Sequence, residues 1–293
     1  MSKKRSFSFT FNFLKNFLLL VFDFLKKQMN SLSKSPILIS SFLTFYFIFL
    51  LIVPIAALIG ILFTNNLNDI LQRAINPVAI AAYTLTFKMA FFAALINTGF
   101  GFIITWVLTR YTFTGKKYFD AAVDLPFALP TSVAGLTLTT IYGESGWIGR
   151  FFQQYHIQIV FSEFGVLLAM IFVSFPFVIR TLQPALQEIE ITLEEAAWSL
   201  GANSFQTFSR VIFPTLLPSI ITGFTLSFSR ALGEFGSIVI ISSNIPFKDL
   251  VSSVLIYQSL EQYDFLGASV IGIVILFIAL FSLLFLNYLN QLF

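Results

Sequence analysis

Glu195-Ala-Ala-Trp-Ser-Leu-Gly201-Ala-Asn-Ser-Phe-Gln-Thr-Phe-Ser-Arg-Val211-Ile-Phe-Pro214 is the stretch on which the reading of this chain turns. It belongs to a loop over 183–213, with Pro184 and Pro214 near its ends and long apolar runs on either side. Helix formers stand on both sides of Gly201, so two short helices are expected. Gly201 would be their turn, since a residue without Cβ reverses the chain at least steric cost. Glu188, Glu190, Glu194, Glu195 and Arg210 would suit a solvated connector. Ala196, Ala197, Leu200, Phe205, Phe208 and Val211 would be poorly placed in water alone. A connector also needs only a few residues, and this one has about thirty. The pattern points to a contact with another protein.

The flanking runs set the fold class. Of 293 residues 57% are apolar, 39 are Phe and only 11% are charged, against about a quarter charged in ordinary soluble domains. Lipid must cover part of so much apolar surface. Six segments reach the roughly 20 residues needed to cross a bilayer as helix: Pro36–Phe63, Ala82–Thr109, Ala121–Tyr142, Phe164–Leu182, Pro214–Ile241 and Gly267–Leu289. Their apolar runs are continuous rather than alternating, which argues against barrel strands. An all-α integral membrane protein with six transmembrane helices is expected.

Lys and Arg orient it. With the amino terminus inside, the inner side holds Lys3, Lys4, Arg5, Lys15, Lys26, Lys27, Lys34, Arg110, Lys116, Lys117, Arg180 and Arg210. The outer side holds Arg73, Arg150 and Lys248. That bias puts both termini and the 183–213 loop in the cytoplasm or its plastid equivalent, the stroma.

The chain carries no enzyme signature. Gly115-Lys116 lacks the upstream glycine of a P-loop, Arg110 standing in its place, and Lys117 replaces the required Ser or Thr. Cys is absent and His156 is single, so no catalytic, cofactor or metal residues are assigned. If energy drives this protein, another chain supplies it.

Charged residues inside spans are costly and mark function. Lys88, Arg230 and Glu234 fall in the outer half of the membrane on this topology. Arg230 and Glu234, at i and i+4, either neutralise each other or help line or gate a path. Pro126 and Pro130 should bend or break the third span. Beyond them Ser132, Gly135 and Thr139 follow at helical spacing, as a close-packing face or as a hydroxyl-bearing wall of a path.

Glu195-Ala196-Ala197, Gly201, Val211 and Phe213-Pro214, at their observed spacing, resemble the EAA loop of ABC importer permeases. Asp124–Leu138, Ser229–Ser237 and Leu260–Asp264 resemble the T-type permease subunit of sulfate/thiosulfate transporters, and the resemblance covers roughly Tyr83–Asn287. It implies the type I ABC importer permease fold, with Glu195, Ala196, Ala197, Gly201, Val211 and Pro214 docking an ABC ATPase subunit. It further implies a second related permease subunit, a soluble sulfate-binding protein, and a path or gate including Lys88, Ser132, Thr139, Arg230 and Glu234. Membrane lipid is an expected partner and nucleic acid is not. Molybdate and tungstate permeases share the fold and remain an alternative. An ion-coupled secondary transporter is the rival of another class, although repeat symmetry and midplane titratable groups are not evident.

In domain terms, 82–289 is the permease core with coupling loop 183–213, and 36–81 is the first transmembrane helix and outer loop. Residues 1–35 are a basic, Phe-rich segment expected to lie on the bilayer surface. Lys15 and Asp23 interrupt its apolar stretch and no small-residue cleavage site follows, so it is not read as a signal peptide. Heavy use of Phe, Ile, Leu, Asn and Lys fits an AT-rich genome. A plastid envelope membrane is therefore favoured over a bacterial plasma membrane.

Overall fold

A computed structural model describes residues 37–290, and all their regular elements are helical. The expected surface segment 1–35 lies outside the described residues. Helix α1 (Ile37–Phe47) passes through a π-helical turn (Ile48–Ile52) into α2 (Val53–Phe63). Next come α3 (Leu67–Ala74), α4 (Pro77–Arg110), α5 (Lys116–Val123), α6 (Leu125–Ala128), α7 (Thr131–Tyr142) and α8 (Trp147–Gln153). Helices α9 (Glu163–Glu188), α10 (Ile191–Ser199) and α11 (Ser204–Thr207) follow, then a second π-helical turn (Phe208–Ile212) leading into α12 (Phe213–Leu232). The chain closes with α13 (Ile238–Ile241), α14 (Ser252–Glu261) and α15 (Phe265–Asn290).

Both π-helical turns end two residues before a proline, Pro54 and Pro214. Proline lacks the N–H for an i→i−4 bond and its ring collides with that carbonyl. Widening the preceding turn relieves the clash: Val53 N–H bonds Ile48 O, and Phe213 N–H bonds Phe208 O. Helix therefore continues across Pro214, and the apolar helix runs over Ser204–Leu232. This corrects the expected start of the fifth span at Pro214. Likewise α9 runs through Pro184 to Glu188, beyond the expected end at Leu182.

Among the described residues five helices are long and apolar enough to cross a membrane: Leu43–Phe63, Pro77–Arg110, Glu163–Glu188, Ser204–Leu232 and Phe265–Asn290. The sixth expected segment, 121–142, is apolar but is not one helix. It breaks between α6 and α7, where Leu129 and Pro130 are extended, as proline dictates for itself and for the residue before it. The fifth segment also stops early, at Leu232, with 233–237 forming a turn before α13.

The chain divides into two units. Among the described residues, one comprises 37–76 and Gln258–Val274. Within it Asp264 caps the start of α15, accepting from Gly267 N at 3.0 Å, and forms an ion pair with Arg73. The other comprises Pro77–Tyr257 and 275–290, and α4, α9 and α12 pack closely at its centre. Gly101 and Gly223 both lie against Val178, where a Cβ would come within 2.8 and 3.3 Å respectively. Buried Asn97 donates from α4 to Ile171 O (3.1 Å), Ser174 Oγ (2.9 Å) and Ser227 Oγ (3.3 Å), joining all three helices. Lipid tails are as apolar as leucine, so close approach and hydrogen bonds of this kind hold helices together in a bilayer.

Candidate functional site

The segment over 189–213 is built around one glycine. Helix α10 ends in a reversal where Gly201 N–H bonds Trp198 O at 2.9 Å and Ala202 N–H bonds Ala197 O at 3.0 Å. This is the Schellman arrangement, and it requires the left-handed backbone that Gly201 adopts (φ 84°). Asn203 then caps the next helix reciprocally with Gln206, each accepting from the other's backbone N–H at 2.9 Å. The expected pair of helices with Gly201 at the turn is present, with one correction. The second is not a short separate helix; it is the first turn of the long helix leading into α12.

The apolar residues of this segment divide between two environments. Phe208 packs on Phe102 and Trp106 of α4, with ring centroids 6.0 and 5.6 Å away, and Ile189 and Ile212 join Leu186 and Leu216 in a small core. Ile191, Leu193, Trp198, Leu200 and Phe205 remain exposed, Leu200 at 89%. Glu195 and Ala196 are exposed, Ala197 and Val211 half-buried, and Pro214 exposed. The glutamate that anchors the helix is Glu194, which pairs with Arg110 at the end of α4 (2.6 Å). Arg110 also lies 5.5 Å from the Trp106 ring centroid. Sequence reading singled out Glu195 and missed this pair, because its halves lie on different elements.

At the same end, Arg180 of α9 grips the start of the broken segment. Its Nε and Nη2 each donate to one oxygen of Asp124 at 2.7 Å. Its Nη1 reaches Asp120 Oδ1 at 2.8 Å and Gln183 Oε1 at 2.6 Å. The Arg180 guanidinium holds the Asp120 carboxyl below its usual range.

Towards the opposite end, Ser132, Arg230 and Glu234 belong to two segments that pack together. Arg230 Nη1 meets Glu234 Oε2 at 2.8 Å, but Glu234 lies past the end of α12 rather than one turn further along it. Its other oxygen accepts from Ser237 N (2.9 Å) and Ser237 Oγ (2.8 Å), bracing the turn that replaces the helix. Glu234 is 1% exposed and the Arg230 side chain 30%. This turn lies against the start of α7. A Cβ on Gly135 would come within 2.6 Å of Ser237 O, and one on Gly236 would overlap the Thr131 side chain and approach Ser132 N. Thr139, a half-buried residue further along α7, lines a cavity of about 600 Å³ with Tyr142, His156 and Gln158. Lys88 is joined instead to Glu163 at the start of α9 (2.9 Å).

Residues 97–292, which include both segments, match the family described as "Binding-protein-dependent transport system inner membrane component". The chain belongs to that family. Its members are membrane permease subunits of ABC importers, non-catalytic, with ATP hydrolysis on a separate subunit. The permease is 71% identical over 227 residues to a protein of Chlorella vulgaris named probable sulfate transport system permease protein cysT, covering 78% of this chain and 85% of that one. It is 54% identical over 246 residues to the sulfate transport system permease protein CysT of Synechocystis sp., covering 84% and 86%. Its fold matches a bacterial ABC transporter involved in the import of the acidic polysaccharide alginate, with a TM-score of 0.71 at 17% identity over 84% of this chain and 91% of that one. The five long apolar helices thus belong to a membrane-embedded permease.

Proposed function

We propose that this permease carries sulfate or thiosulfate inward, delivered by a soluble binding protein, and that α10 with its Gly201 turn docks the ATPase subunit. One observation carries the docking: Ile191, Leu193, Trp198, Leu200 and Phe205 are exposed on a segment that is itself held down by Ile189, Phe208 and Ile212, packed in a small core with Phe102 and Trp106 of α4. Lipid-facing helices need no such capped, ion-paired projection. Arg110–Glu194 fixes its angle and the Gly201 turn fixes its tip, so the segment is preorganised to bind. In this reading Glu195, Ala196, Ala197, Gly201, Val211 and Pro214 present or shape the docking surface. Both termini face the ATPase side.

Arg230, Glu234 and Ser132, with Thr139, form the path or gate at the opposite end. The turn at 233–237 interrupts helix where small residues bring two backbones together, a joint that can open without unfolding a span. Arg230, partly exposed, offsets the charge of a passing oxyanion while Glu234 keeps its position. Sulfate as cargo is supported by the relatives' names and by the match to segments Asp124–Leu138 and Ser229–Ser237. A second, related permease subunit completes the path. Algal and cyanobacterial relatives favour a plastid envelope, with a bacterial plasma membrane as the alternative.

The test is ATP-dependent uptake of radiolabelled sulfate into vesicles bearing the assembly. Uptake should vanish without this chain, and thiosulfate should compete. Uptake that persists without any ABC ATPase would sink the proposal, and preferential competition by molybdate would reassign the cargo within the same fold.

A further inference from the structure

The Lys88–Glu163 pair borders two cavities, of about 250 and about 580 Å³, and Phe247 and Lys248 line both. The larger has two kinds of wall. Lys88, Lys248 and Glu163 give it a charged rim; Met89, Phe92, Phe164 and Leu167 give it an apolar side, on which Phe92 and Phe164 are exposed. Lys248 is exposed and has no carboxylate in ion-pairing range among the described residues. The rim therefore carries two positive charges against one negative.

The loop that presents Lys248 is held in place. Buried Asp249 accepts from Ser243 N (2.6 Å), Ser243 Oγ (2.8 Å) and Ile245 N (3.2 Å). Asn244 and Phe247 adopt left-handed backbone (φ 57° and 63°), a conformation that persists in residues with a Cβ only where surroundings over-determine it. The loop thus holds Phe247 and Lys248 beside the Lys88–Glu163 pair. Lys88 lies eleven residues into α4, and Glu163 is the first residue of α9. Glu163 thus opens one membrane-length helix, and Lys88 stands about 16 Å along another.

We propose that this cavity binds an anionic lipid, its phosphodiester or sulfo group between Lys88 and Lys248 and an acyl chain along Phe92, Phe164 and Leu167. A free dianion fits less well. It would lose hydration against the wall of Met89, Phe92, Phe164 and Leu167, where Gln158 and Ser162 are the only uncharged polar side chains of the lining, and it would meet Glu163 at the rim. A singly charged headgroup matches the net charge of one, and its chain covers the exposed wall. The site is independent of which solute is carried.

The experiment is native mass spectrometry of the detergent-purified assembly, titrated separately with phosphatidylglycerol, phosphatidylcholine and sodium sulfate. Phosphatidylglycerol should be retained in preference to phosphatidylcholine, one molecule per copy of this chain. Lys248→Gln should lower its affinity about fivefold, the effect of one lysine at a membrane surface, and leave phosphatidylcholine unaffected. Lys88→Gln alone strands Glu163, so the Lys88→Gln/Glu163→Gln double variant keeps the packing while removing the pair, and it too should weaken phosphatidylglycerol. Equal retention of the two lipids, an unchanged affinity in Lys248→Gln, or no retained lipid because another subunit covers the face would each overturn the proposal. Competition by sulfate at concentrations that leave ionic strength unchanged would make this a free-anion site instead.

Discussion

The permease turns on glycine at both ends, for opposite reasons. At Gly201 a Cβ would meet nothing within 4 Å, and only the left-handed backbone demands glycine. At Gly135 the backbone is ordinary helix, and only the neighbouring Ser237 backbone forbids a side chain. One site is open in space and closed in conformation; the other is the reverse. The first suits a surface that must present a fixed tip to a partner. The second suits a joint whose two halves must sit together and come apart.

Glu234 offers the sharpest way to break the comparison. Glu234→Ala should remove both the Arg230 partner and the brace on Ser237, costing about 2–3 kcal/mol, below the range for a fully buried pair because Arg230 is partly exposed. Thermal unfolding in detergent measures it. Glu234→Gln should recover part of the loss, since an amide oxygen can still accept from Ser237. Next in size, Gly135→Ala should cost about 1–3 kcal/mol through overpacking, and Gly135→Asn more.

Gly201 should rank the same residues the other way. Gly201→Ala costs about 1–2 kcal/mol of local conformational energy, and Gly201→Asn less, because asparagine tolerates the left-handed region. Global unfolding should register no more than that local cost, because a side chain at Gly201 meets nothing within 4 Å. Co-purification with the ATPase should fall for alanine more than for asparagine, and identical losses would undo the conformational account. Smallest is the acid limb. Asp120 has a depressed folded pKa, so its contribution is present above the ordinary carboxylate value of about 3.9 and is lost as pH falls through the folded value. Asp120→Asn should flatten the decline of thermal midpoint in acid and change little near neutrality.

Much of this architecture was legible in the residue order. Apolar run length locates the long helices, and the break near Pro130 is readable because proline acts locally. The turn at Gly201 was equally plain, since glycine signals it at its own position, whereas the Asn203–Gln206 cap beside it went unread. The early end of α12 was not. Leu232 and Ile238 bracket the turn with apolar residues, and Glu234 earns its place through Ser237 and through Gly135 nearly a hundred positions away. Hydropathy averages over such a turn and sees a continuous span. For the same reason the partner of Lys88 was missed: Glu163 lies 75 residues on, at a helix start. Asp249, whose ligands are a serine and two backbone amides, left no sequence signal beyond its position beside Lys248.

The ion pair between Arg110 and Glu194 gives α4 a mechanical role. Helix α4 has 34 residues without an internal proline, so it is a stiff rod about 50 Å long. Glu194 of α10 holds one end of that rod through Arg110, and Phe208 of the following π-helical turn holds it through Trp106. If it pivots there, a tilt of about 5° sweeps the far end through about 4 Å. A small rocking of α10 therefore becomes, by leverage alone, a displacement larger than a water molecule at the far end of α4.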